Sequence, residues 1–232
     1  MQQRLLALSA LLVGMVDVIS GHGRLREPPG RSTMWRYGFN TTENFNDNEL
    51  YCGGVTAQHQ LNGGRCGICG DNYADPQPRA NEAGGKYGQG VIVRHYRQGQ
   101  TIQIHIELTA RHLGWMEFKL CPTNDAKRIA TQQCLDRNVL QRADGAGTKT
   151  FVDNEVRHYH LQYRLPAGLS CVQCVFQWRY HTGNSEGCDG DVCCVGCGPQ
   201  EEFYGCADIE IRPLGPHRPY YPARLFDGRK RR

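Results

Sequence analysis

Six short runs set β-branched or aromatic residues against polar ones with a period near two: GVIVRHY (90–96), TIQIHIEL (101–108), WMEFKLC (115–121), HYHLQYRL (158–165), VQCVFQWRYH (172–181) and CADIEIRP (206–213). Side chains along an extended strand alternate between faces, so this period describes half-buried strands, and the Gly, Pro and Asn between them supply turns. The pattern predicts an all-β chain folded as an antiparallel β-sandwich. The best helical stretch, NDAKRIATQQCLDRNVLQ (124–141), predicts one short helix. From Gly23 to about Gln89 the chain is rich in Gly, Asn and Pro and shows no sustained period, which predicts long loops with little regular structure.

Twelve cysteines fit a secreted chain carrying up to six disulfides, with Cys52, Cys66 and Cys69 pinning the long loops. The Cys66-x-x-Cys69, Cys171-x-x-Cys174 and Cys194-x-x-Cys197 spacings also match zinc sites, but an oxidising compartment favours disulfides. Asn40 opens an N-glycosylation sequon, NTT.

Export has its own signal. LLALSALLVGMVDVIS (5–20) follows a single basic residue, Arg4, and is too short and too interrupted by Asp17 to span a bilayer. It reads as a secretory leader over residues 1–21, cleaved after Gly21, with Ser20 as the competing position. The 211 residues that remain are enough for one β domain with a substantial core, expected over 22–213 and acting as a monomer. The net charge of +4 equals that of the final RKRR, leaving 23 basic and 23 acidic residues elsewhere. That balance argues against a nucleic-acid groove. Residues 214–232 read as a Pro-rich, basic tail, either a solvated terminus or a convertase-like site.

Cleavage after Gly21 makes His22 the first residue, and the bland reading is a frayed chain end. The other reading is chemical: the α-amine and Nδ1 of one terminal histidine can chelate one metal ion, and a second histidine completes a three-nitrogen set. Such a set suits copper in both oxidation states. The amine, with an ordinary pKa of about 7.7–8.0, must lose its proton to bind, so affinity should fall in acid. His59, His95, His105, His112, His158, His160, His181 and His217 are available as the second ligand. His158 and His160 share one strand face and can pair on a metal, although such exposed pairs are usually plain polar surface. His105 lies in an alternating run and reads as structural. His112 lies in TARHLGW, the break between two strands, where sandwich sites are built.

Six blocks in order, HGRLREPPGRSTMWRYGF, NDNELYCGG, GGRCGICGD, TARHLGWMEFKLCP, FQWRYHTGN and GPQEEFYGCADIEI, together resemble the arthropod-type lytic polysaccharide monooxygenases of auxiliary activity family fifteen, from His22 to about Arg212. The resemblance implies an immunoglobulin- or fibronectin-like sandwich whose flat face holds one copper ion in a histidine brace. By position, His22 supplies amine and Nδ1, and His112 supplies Nε2. Ala110 matches the small residue that keeps space beside the copper. Phe203, three residues before Cys206, matches the axial aromatic; Tyr204 is adjacent but should face the other way. Glu201 matches a Gln or Glu that relatives place to hydrogen-bond at the copper, with a solvated loop charge as the plain alternative.

The implied activity is oxidative cleavage of glycosidic bonds in insoluble chitin or cellulose by C–H hydroxylation, using O2 or H2O2 and an external small-molecule or protein reductant. Trp35 and Tyr37 are aromatics that could meet the polymer, unless they are core. Other chemistries lack their motifs: there is no G-x-S-x-G elbow, P-loop or dinucleotide fingerprint, and nothing fixes Glu107 and Glu117 as a hydrolytic acid pair. The competing reading is a non-catalytic, polysaccharide-binding matrix protein whose adhesion ignores copper and the His112→Ala change.

Overall fold

In chain order the strands are β1 (His22–Glu27), β2 (Arg94–Arg97), β3 (Thr101–Ala110), β4 (Gly114–Pro122), β5 (Gln141–Arg142), β6 (Thr150–Phe151), β7 (His158–Arg164), β8 (Cys171–Thr182), β9 (Glu186–Asp189), β10 (Val192–Val195) and β11 (Glu202–Arg212). The computed structural model describes residues 22–215, so the leader over 1–21, most of the tail and His217 lie outside the described residues. One sheet runs β1-β3-β7-β5, the second β2-β11-β8-β4-β6, and β9 and β10 form a separate hairpin. All pairings are antiparallel except β11 with β2, a parallel contact at the edge of the larger sheet.

The two sheets bury a common core. Alternate residues Ile102, Ile104, Ile106 and Leu108 of β3 meet Phe118 of β4, Phe176, Trp178 and Tyr180 of β8, and Phe203 and Ile209 of β11. Phe118 of one sheet packs edge-on against Tyr163 of the other, with ring centroids 4.7 Å apart. This is the β-sandwich that the alternation predicts.

On β4, β8 and β11 the alternation is obscured because both faces are covered. The long loops and the short helix α1 (Gln132–Asp136) form a second apolar cluster on the far face of the larger sheet, through Ile68, Cys69, Leu135, Val175 and Cys206. A buried ion pair fastens the same layer: Arg31 donates to both carboxylate oxygens of Asp208, at 2.8 and 2.7 Å.

All twelve cysteines form disulfides: Cys52–Cys66, Cys69–Cys206, Cys121–Cys134, Cys171–Cys174, Cys188–Cys193 and Cys194–Cys197. Among the described residues no free thiol remains for zinc. Cys66 and Cys69 are not partners despite their spacing; the first closes a local loop and the second reaches β11.

One local expectation is corrected. The loop-rich segment begins with a strand, β1, because Gly23 and Leu25 face the core while Arg24 and Arg26 face outward. The short helix expected within 124–141 is the single turn α1, capped by the Thr131 hydroxyl accepting from Cys134 N–H.

Candidate metal centre

β1 brings His22 to the end of β3. His22 pairs with Ala110, and the register shifts between His22 and Gly23, an irregularity at the start of β1. His112 follows Ala110 by two residues, in the turn from β3 to β4. The pairing therefore brings His22 to one end of the sandwich beside Ala110 and His112, which follow it by 88 and 90 positions in sequence.

Close packing fixes β1 there. A Cβ at position 23 would lie 2.8 Å from Leu108 Cδ2 and 2.9 Å from Trp178 Cη2, so only glycine lets the strand approach this near. Gly23 N–H donates to the Asn48 carbonyl at 3.0 Å, tying β1 to the NDNELY segment. From that segment Glu49 presents Oε1 3.4 Å from His22 Nε2.

The His112 turn is held by its backbone. Gly114, with φ +110°, makes the turn into β4, where a side chain would strike the His181 carbonyl. The Tyr180 hydroxyl accepts from His112 N–H at 3.0 Å and donates to the His112 carbonyl. Burial, opposed by the bond to the His112 backbone, pushes this phenol well above its ordinary range, so it stays protonated. The His112 side chain is buried.

Phe203 and Tyr204 point to opposite faces of β11. The Phe203 ring is fully buried, with centroids 6.2 Å from His22, 6.1 Å from Tyr180 and 6.1 Å from Tyr51. Tyr204 instead donates to Glu202 Oε2 at 2.7 Å, beside Arg179 and away from His22. Glu201 precedes β11; its carbonyl accepts from Thr182 N–H and Oγ1 at 3.1 and 3.0 Å. Its carboxylate is close enough to add to the upward pressure on the Tyr180 phenol.

The other candidate residues disperse. Trp35 packs edge-on against Phe45 at 5.2 Å, and Tyr37 accepts from Arg26 Nε at 2.7 Å. Glu107 is paired with Arg24 and Arg26 on one sheet and Glu117 with Lys119 on the other, so they form no acid pair. His59 contacts the Gln200 carbonyl, His95 pairs with Glu210 and His181 with Glu202. A cavity of about 760 Å³ is lined by residues including Arg65, Tyr73, Arg179 and Tyr204, but by neither His22 nor His112.

Tyr180, Tyr51 and Glu49 are the residues that sequence reasoning missed. The alternation in FQWRYH does place Tyr180 on the inner face with Trp178, but its hydroxyl contact across to the β3–β4 turn has no sequence signal.

This donor set fits copper. A ligating histidine commonly turns its other ring nitrogen to a carboxylate, and His22 Nε2 faces Glu49, so Nδ1 would be the ring nitrogen to ligate, with the α-amine beside it once the chain begins at His22. His112 adds a second imidazole, Ala110 little bulk, and Phe203 an apolar ring with no donor atom. An all-nitrogen set of this kind prefers copper among the first-row ions.

Comparison with known proteins agrees. The family described as lytic polysaccharide mono-oxygenase, cellulose-degrading, matches residues 22–209. A lytic polysaccharide monooxygenase AA15 from Thermobia domestica, solved in the Cu(I) state, is 47% identical over 82% of this chain and 98% of its own, with a TM-score of 0.80. A chitin binding domain from Burkholderia pseudomallei is 13% identical over 83% of this chain and 100% of its own, with a TM-score of 0.45, too distant to bear on function. A search of curated protein sequences returns no match. The extent of the family match and the identity to the Thermobia enzyme make this chain a member of the lytic polysaccharide monooxygenases of auxiliary activity family fifteen, and a copper-dependent oxidoreductase.

Proposed function

We propose that the protein is a secreted enzyme in which His22 and His112 hold one copper ion and which oxidatively cleaves insoluble chitin or cellulose. The observation that carries this reading is the β1–β3 register, which sets His22 beside Ala110 and so within one turn of His112. Residues 22–213 are the catalytic domain, released from a leader ending at Gly21.

The chemistry that copper supplies when bound is one-electron activation of O2 or H2O2, leading to hydroxylation of a C–H bond beside the glycosidic oxygen. With O2, an external reductant provides two electrons and two protons, and water is the second product; with H2O2, water is likewise formed. The hydroxylated carbon then expels the glycosidic oxygen and the chain breaks. His22 offers the amine and Nδ1 while Glu49 orients its ring. Tyr180 holds the turn that presents His112. Phe203 would give the site an apolar ring without a donor atom, and Glu201, whose charge is felt at Tyr180, would hydrogen-bond near the metal. Because the His22 side chain is partly exposed, the substrate is met at the surface, as a polymer crystal requires.

The test is incubation of the copper-loaded mature protein, its N-terminus verified as His22 by mass spectrometry, with chitin and with cellulose plus a reductant. Oxidised oligosaccharides should appear, and His112→Ala should abolish them. Copper-indifferent polymer binding with no oxidised product from either polymer would establish the matrix-protein reading instead.

A further inference from the structure

The outer face of the β1-β3-β7-β5 sheet carries three histidines that the copper centre does not use. His105 of β3 stands directly across from His160 of β7, and His158 lies two residues along β7 on the same face. The His105 ring stacks on His160 with centroids 4.2 Å apart and lies 5.4 Å from His158. His105 Nε2 and His158 Nδ1 are separated by 3.2 Å.

That separation is also what a chelated ion imposes. Two imidazole nitrogens each about 2.0–2.1 Å from one metal ion and 3.2 Å apart subtend about 100° at the ion, close to the tetrahedral angle. In the neutral rings one shared proton bridges the two nitrogens; moving it to the other nitrogen of its own ring frees both lone pairs, and exposed His158 can turn to converge them. The geometry points to a second metal site, in which His105 Nε2 and His158 Nδ1 chelate a divalent transition-metal ion of the kind imidazole favours, Cu²⁺ or Zn²⁺. His160, stacked on His105, holds that ring in place. Among the described residues no group of three or more His, Cys, Asp or Glu is arranged to hold a metal, so the site supplies two donors and water fills the remaining positions.

Burial first, then the neighbouring His160 and Arg26, hold the His105 imidazole down to about 4, so at neutral pH it is an uncharged ligand. Glu107, across from His158, accepts from Arg24 and Arg26 at 3.2 Å each and offsets the positive charge of Arg26.

The experiment is calorimetric titration of Zn²⁺, at pH 7, into the mature protein loaded with one equivalent of copper, freed of excess. A saturable equivalent of zinc is expected. It should be lost in His158→Asn, an exposed substitution whose fold is checked by circular dichroism and whose polysaccharide oxidation should equal that of the parent. It should persist in His112→Ala, which separates this site from the copper centre. Absence of saturable uptake by the parent, or uptake unchanged in His158→Asn and in His105→Asn, overturns the proposal.

Discussion

The Tyr180 hydroxyl closes a ring on the backbone of His112, taking its N–H at 3.0 Å and giving its own proton to the His112 carbonyl. A side chain of the larger sheet thereby fixes the β3–β4 turn that joins the two sheets. Tyr180→Phe keeps the ring that packs on Phe203 but leaves two backbone groups without this partner. The expected cost is about 1–3 kcal/mol of stability, read as a lower melting temperature. Copper affinity, measured by competition with a chelator, should fall with it, because the His112 turn is no longer held. Unchanged affinity in a destabilised variant would reject the positioning role.

Gly23→Ala tests the packing that seats His22. The added methyl must displace Leu108 or Trp178, both buried, or push β1 outward. Overpacking of this kind costs about 1–3 kcal/mol. Since His22 is the adjacent residue, the electron paramagnetic resonance spectrum of the copper-loaded variant should differ from that of the parent. A parent-like melt together with a parent-like spectrum would show that β1 has slack there.

What was legible in the sequence divides along a physical line. TIQIHIEL reads directly as β3 because one face meets the core and the other meets solvent. β1 has the same alternation, but it is short and runs into Pro28, Pro29 and Gly30, so composition signals a loop. β9 and β10 lack a buried face altogether, and without one a strand has no hydrophobic signature. At the proposed site, His22 and His112 could be named from the expected end of a leader and from a strand break. Glu49 and Tyr180 could not, since their contacts depend on which strands neighbour which. His105 shows the same limit: it reads as a structural residue of its own strand, and only the β3–β7 register brings it to His158 and His160.

Disulfides should contribute unequally. Cys69–Cys206 spans 137 residues and Cys171–Cys174 only 3. In the chain-entropy account the first restricts the unfolded chain by about 5 kcal/mol and the second by about 1.6 kcal/mol. Cys69→Ser with Cys206→Ser should therefore lower the urea midpoint far more than the double serine change at Cys171 and Cys174. The first pair also ties the long loops to β11, so protease cleavage within residues 53–90 should accelerate in that variant. Equal destabilisation by the two double variants would count against the entropic account.

Glu202 gives the acid response of the fold a specific source. Its buried carboxylate accepts from Gln58 Nε2 at 2.9 Å, Tyr204 at 2.7 Å and His181 Nδ1 at 3.0 Å, and it pairs with Arg179. Burial pushes this carboxyl up, but the His181 hydrogen bond and the Arg179 charge outweigh it and hold the group well below the carboxylate range. The unfolded chain has the ordinary value of about 4.3. The stabilisation is thus fully present above that pH and is lost as pH falls from it toward the depressed folded value. Glu202→Gln leaves Arg179 without its carboxylate and should cost about 3–5 kcal/mol at pH 7. Urea midpoints of parent and variant should draw closer at pH 3, because the parent's carboxylate is then giving up its advantage. A gap of the same size at pH 3 and pH 7 would mean that shape, and not charge, sets the contribution of Glu202.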